Sequence, residues 1–95
     1  MSGLPGGPGD AFPNCIVTAW PPETQTVLKY QWEEVAIPYW RDLVKHAANC
    51  GVARICIELH GTQLVYNTET MLRLRDAAGE RVGANFDPSH MMWMG

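Results

Sequence analysis

Basic charge is scarce in this sequence: seven Lys and Arg residues stand against ten Asp and Glu, for a formal charge of −3. Lys29, Arg41, Lys45, Arg54, Arg73, Arg75 and Arg81 are scattered, so no basic stripe forms to track a phosphate backbone, and a nucleic-acid partner is not expected. Cysteine is equally sparse. Cys15, Cys50 and Cys56 are odd in number and lack paired ligand spacing, which excludes a disulfide framework or a zinc ribbon and points to a reducing compartment. Long apolar runs are absent too. Nothing approaches the roughly 18–20 residues that span a bilayer, and no basic segment followed by an apolar stretch opens the chain. The expectation is a soluble, cytoplasmic protein with no membrane partner. At 95 residues there is room for one small domain or part of a larger one.

Glycine and proline are plentiful, but only locally. Residues 3–14, GLPGGPGDAFPN, hold four Gly and three Pro, a composition that continues neither helix nor strand. With Pro21 and Pro22 closing it, the region 1–22 reads as an irregular loop, either a lid over a site or a frayed terminus. Residues 23–95 read as helix, strand, helix, strand in a single segment. From Thr24 to Cys50 the apolar residues Val27, Leu28, Tyr30, Val35, Trp40, Leu43, Val44 and Ala47 recur at helical spacing. Pro38 lacks an amide hydrogen, so a kink or break is expected near Val35 to Ile37, and Gly51 supplies the stop. Trp20, Tyr30, Trp32, Tyr39 and Trp40 fit a core better than a sugar platform.

The run ARICIELH, with Ile55, Cys56, Ile57 and Leu59, is nearly continuous in apolar character, as in a parallel strand covered on both faces. A helix follows, capped by Asn67 or Thr68, with Met71, Leu74 and Ala78 on one face, Leu72 beside them, and Gly79 at its end. VGANFD then repeats the strand signal. The strand-to-strand distance of roughly thirty residues is that of a parallel βαβ unit. A further strand is signalled weakly at Ile16 and Val17.

That order places Glu58 and Asp87 at the C-terminal ends of two parallel strands, the edge on which α/β active sites lie. A carboxylate at an apolar strand end is costly unless paired, protonated or bound to a cation, and two together favour a divalent metal. His90, three residues past Asp87, can reach the same mouth, and His60 shares the face of Glu58 if the strand continues. Plainer readings exist. Glu58 could pair with Arg54 or cap a helix, Asp87-Pro88-Ser89 is a common turn opener, and His46 suits a helix surface or C-terminus. Met91, Met92 and Trp93 could line a pocket or bury themselves.

The stretch ICIELHGTQLVYNTETMLRLRDAAGERVGANFDPSHMMWMG resembles the sugar phosphate isomerase/epimerase family, the xylose-isomerase-like TIM barrels. The likeness extends back through WPPETQTVLKYQWEEVAIPYWRDLVKHAANCGV, and SGLPGG resembles the loop after an earlier strand, with Met1 standing where the family has a strand-end residue. IELH and DPSH, in this order and spacing, are the most specific parts. The resemblance implies an α/β fold, a partial (β/α)8 barrel around its fifth and sixth strands. It implies that Glu58 binds a divalent cation (Mn, Mg, Co or Zn) and acts in proton transfer, that Asp87 is a second metal ligand, and that His90 contacts substrate oxygens. In related metal-dependent apurinic endonucleases the corresponding histidine ligates zinc instead. His60 and Trp93 are further substrate-facing candidates. The implied reaction is isomerisation or epimerisation of a sugar or sugar phosphate by metal-assisted proton transfer through an enediolate. The family completes its metal site with a histidine and a second glutamate from the seventh and eighth strands, neither of which this sequence supplies. A full barrel needs about 250 residues. The chain is therefore expected to be a non-closing piece, inactive alone, Met1 an internal methionine and the full-length protein a homo-oligomer. A non-catalytic interaction module and an apurinic endonuclease-like repair enzyme are the alternatives.

Overall fold

The first ordered helix begins where two prolines end the irregular segment. In a computed structural model, which describes residues 3–94, α1 (Glu23–Tyr30) follows directly on Pro22, whose ring pre-sets a helical φ. Met1, and with it the expectation placed on that residue, lies outside the described residues, as do Ser2 and Gly95. Thr24 donates its hydroxyl to the carbonyls of Pro21 (2.8 Å) and Thr18 (2.9 Å), tying the loop to the helix start.

The irregular segment is not frayed. Gln31, fully buried, donates Nε2 to the carbonyls of Pro5 (2.8 Å) and Asn14 (2.6 Å), and Leu64 N–H bonds the Gly3 carbonyl at 3.1 Å. Gly6 is needed there, because a Cβ would stand 2.6 Å from the Phe12 carbonyl oxygen. The strand signalled at Ile16 and Val17 does not form. A strand needs a ladder partner, and among the described residues neither residue has one; Val17 is 85% exposed.

The expected break near Pro38 takes the form of a wider turn. Residues Gln31–Ala36 are π-helical, with Ile37 N–H reaching the Trp32 carbonyl, and α2 (Ile37–Asn49) continues from there with Pro38 in its first turn. A proline cannot donate to the carbonyl four residues back and its ring collides with it, so widening the preceding turn relieves both problems without ending the helix. Trp32, Ala36 and Trp40 keep one face and bury it. At the far end Gly51 adopts φ +77°, Gly51 N–H bonds Ala48 O and Val52 N–H bonds Ala47 O, which satisfies the last carbonyls.

β1 (Ile55–Glu58) and β2 (Val82–Asn85) pair in parallel, Ile55 opposite Val82 and Glu58 opposite Asn85. Between them runs α3 (Thr68–Ala78). Asn67 Oδ1 accepts from Thr70 N–H at 2.9 Å while Thr70 Oγ1 accepts from Asn67 N–H at 3.1 Å, a reciprocal cap, and Gly79 at φ +110° ends the helix. The β1, α3, β2 order is the expected βαβ unit, an α/β arrangement of parallel strands with flanking helices.

The core lies between the sheet and the helices: Trp32, Ala36 and Trp40 meet Ile57, Leu59, Leu64, Val65, Met71, Leu74 and Val82. Trp32 and Trp40 belong to it as expected, whereas Trp20 (75% exposed), Tyr39 and Leu72 do not. The strands were expected to be covered on both faces. Instead, among the described residues, the helices cover only the face of Ile57 and Val82; Cys56, Glu58 and Asn85 face the other way and keep solvent exposure. No helix of the described residues is long and apolar enough to cross a membrane.

Candidate metal centre

Period-2 alternation along β1 sends Ile57 into the helices and Glu58 away from them. Asp87 lies two residues beyond Asn85, the strand partner of Glu58, so the two carboxylates leave one edge of the sheet. A turn then reverses the chain. Asp87 Oδ1 accepts from Ser89 N–H (2.9 Å) and from the Ser89 hydroxyl (2.7 Å), and Pro88 opens the short helix α4 (Pro88–Met94). The first turn of α4 carries His90 back over the strand ends. Its Nε2 stands 3.1 Å from Glu58 Oε1 and 3.7 Å from Asp87 Oδ2.

The turn-opener reading of Asp87 and its ligand reading are thus compatible, because they use different oxygens: Oδ1 caps the helix and Oδ2 faces His90. The Ser89 hydroxyl, then the Ser89 backbone N–H, hold the Asp87 carboxyl below the ordinary aspartate range; partial desolvation opposes them and the neighbouring His90 adds to them. Glu58 neither pairs with Arg54 nor caps a helix; its partner is His90, and its side chain remains 46% exposed.

His60 also arrives, by a different route from the one expected. β1 stops at Glu58 and Leu59 turns into the core, yet the His60 ring packs against His90 with centroids 4.6 Å apart and planes at 59°, its Nδ1 3.3 Å from the Thr62 hydroxyl. Trp93 is 88% exposed and, with His60, Gly61, His90 and Met94, walls a cleft of about 460 Å³ beside the cluster. It lines a pocket rather than burying itself. Ser89 and Thr62 were not singled out in the sequence as site residues, although Ser89 carried a signal in the Asp-Pro-Ser turn; Thr62 carried none. His46 lies away from the cluster, its Nε2 3.7 Å from Cys50 Sγ at the end of α2.

One donor atom each from Glu58, Asp87 and His90 falls within 4.8 Å of the others. Ligands on a common ion at about 2.0–2.2 Å stand roughly 3–4.3 Å apart, so small rotations of half-exposed side chains close the set. Two hard oxygens and one imidazole nitrogen suit a divalent cation such as zinc or manganese. The donor set fits such an ion, which would take the place of the hydrogen now shared by His90 Nε2 and Glu58 Oε1.

A family model described as xylose isomerase-like TIM barrel matches residues 9–95. An uncharacterized protein of Bacillus subtilis (strain 168), YfiH, is 58% identical over 98 aligned positions that take in all of this chain. The chain spans about a third of the length of that curated relative, 31%. No solved structure gives a significant match.

Proposed function

Because the chain belongs to the xylose isomerase-like TIM barrel family, we propose that the intact protein is a divalent-metal-dependent sugar or sugar-phosphate isomerase or epimerase. The observation that supports this reading best is the meeting of Glu58, Asp87 and His90 beyond the C-terminal ends of two parallel strands. Asp87 and Glu58 would hold the cation, with His90 as a further ligand or as a contact to substrate oxygen. When bound, such an ion polarises a carbonyl oxygen and so acidifies the neighbouring C–H.

The work of this chain's own residues is proton movement and positioning. Glu58 stands at the mouth at the end of a short strand, half-exposed and so able to reach a carbon acid, with His90 beside it to help position it. Ser89 lowers the Asp87 pKa below the ordinary aspartate range, which favours the anion that a cation ligand must be. His60 and Trp93 form the rim against which a sugar or sugar phosphate would lie. A cytoplasmic setting and a homo-oligomeric full-length protein belong to the same proposal.

The test is solvent-hydrogen exchange into candidate ketoses and aldoses, run in deuterium oxide with the metal-loaded intact protein. Glu58→Gln is expected to lower exchange about 10²- to 10⁴-fold, the usual span for losing a general base. Equal exchange in wild type and variant would overturn the assignment.

A second reading rests on one distance pair. His90 Nε2 lies near both carboxylates, 3.1 and 3.7 Å, which suits a metal ligand of the apurinic-endonuclease kind. The formal charge of −3 weighs against a DNA partner. Cleavage of an abasic-site duplex at moderate salt by the intact protein would favour this second reading.

A further inference from the structure

The basic residues are scattered along the sequence, yet folding gathers three of them. Arg54 just before β1, Arg75 in the last turn of α3 and Arg81 just before β2 line one open cleft of about 630 Å³, with Val44 of α2 as an apolar wall. Every lining residue comes from α2, α3 or the segments that lead into the two strands. β1 and β2 run in parallel from this edge to the one that carries Glu58 and Asp87, a strand length of roughly 13 Å.

Two of the guanidiniums are held in place. Arg75 Nη1 donates to the Val82 carbonyl (2.6 Å), and Arg81 Nη1 donates to the carbonyls of Val52 (3.1 Å) and Ala53 (3.2 Å). Carbonyls are neutral dipoles, so they orient these groups without cancelling their charge. None of the three arginines pairs with a carboxylate among the described residues. Glu80 lines the same cleft but forms no ion pair there, so positive charge stays in excess in a chain whose formal charge is −3. Like charges gathered in this way repel, and Arg75 is half-buried, where a guanidinium without a counter-charge is costly. Arg54 and Arg81 are exposed and open to an incoming ligand. The planar donor fork of a guanidinium fits phosphate oxygens, and the volume is that of a small-molecule pocket.

We propose that this cleft is an anion site, separate from the metal centre, for a small phosphorylated molecule, with Arg54 and Arg81 engaging its phosphoryl oxygens and Arg75 supplying further positive charge. The N-terminal edge of barrel strands is not where the chemistry of such folds lies, so the role is binding rather than catalysis. The inference does not rest on the isomerase reading.

The probe is inorganic pyrophosphate, titrated into the intact protein at about 0.15 M salt, where exposed charges more than roughly 8 Å apart are largely screened. Binding is followed by the side-chain Nε–H resonances of Arg54 and Arg81. Saturable shifts are expected. Arg54→Ala, which removes no hydrogen bond or ion pair of the described residues, should weaken binding several-fold, and Glu80→Gln, which removes a repelling charge, should strengthen it several-fold. Asp87→Asn, at the far strand ends, should leave it unchanged. Absence of saturable shifts, or an affinity indifferent to both Arg54→Ala and Glu80→Gln, would overturn the site. So would loss of the shifts on Asp87→Asn, which would place the anion at the metal centre.

Discussion

At the scale of single residues, the site depends on how one turn divides the two oxygens of Asp87. Ser89 holds Oδ1 with its hydroxyl and its backbone N–H, leaving Oδ2 toward His90. Because the folded-state pKa of Asp87 is lowered, its contribution to the helix start is present above the unfolded-state value and fades only as pH falls through the lower folded one. Ser89→Ala removes the largest cause, so the carboxyl pKa should rise toward the ordinary aspartate range in a carboxyl-carbon NMR titration; an unmoved midpoint would show that the hydroxyl is not responsible. Asp87→Asn keeps a capping side chain but loses the anion. Zinc or manganese affinity, measured calorimetrically, should then fall by more than the roughly 10- to 100-fold that loss of an outer-shell partner costs, with little loss of helix content.

At the scale of elements, α3 and the end of α2 are fixed by caps that can be read in the sequence. Asn67→Ala breaks the reciprocal bond with Thr70 and should cost about 1 kcal/mol in denaturant unfolding. Gly51 sits at φ +77°, where a side chain meets its own carbonyl, so Gly51→Val should cost about 1–2 kcal/mol, more than Gly51→Ala. The βαβ unit was legible because period-2 runs bracket a period-3.6 run with a capping asparagine and a closing glycine. The π-helical turn was not. Proline announces a disturbance near residue 38, but whether the helix breaks, kinks or widens depends on Trp32, Ala36 and Trp40 remaining on the buried face. Ile16 and Val17 have the residue types of a strand but no ladder partner among the described residues, which no local signal records.

At the scale of the whole molecule, one helical layer packs on one face of a two-stranded sheet. Trp32 is central to that packing at 1% exposure, and Trp32→Ala should cost about 3–5 kcal/mol. The opposite face, with Cys56, Glu58 and Asn85, is exposed, and so are Phe86 and Met92 beyond the strands. β1 and β2 are each hydrogen-bonded to a single neighbour among the described residues. The 95-residue chain by itself should therefore self-associate with rising concentration in sedimentation velocity. A sharp, concentration-independent monomeric unfolding transition would contradict that.

The sequence by itself determined the α/β order, the helix caps and the placing of Glu58 and Asp87 at matching strand ends, since each follows from local periodicity and turn chemistry. Only the tertiary structure decided what meets there. That His90 reaches back to Glu58, that His60 packs against it from a loop with the rings tilted, and that Gln31 pins the Gly/Pro segment are contacts between residues 17 to 32 positions apart. Such contacts are set by how the elements dock, and docking responds to the summed burial of many side chains rather than to any one stretch of chain.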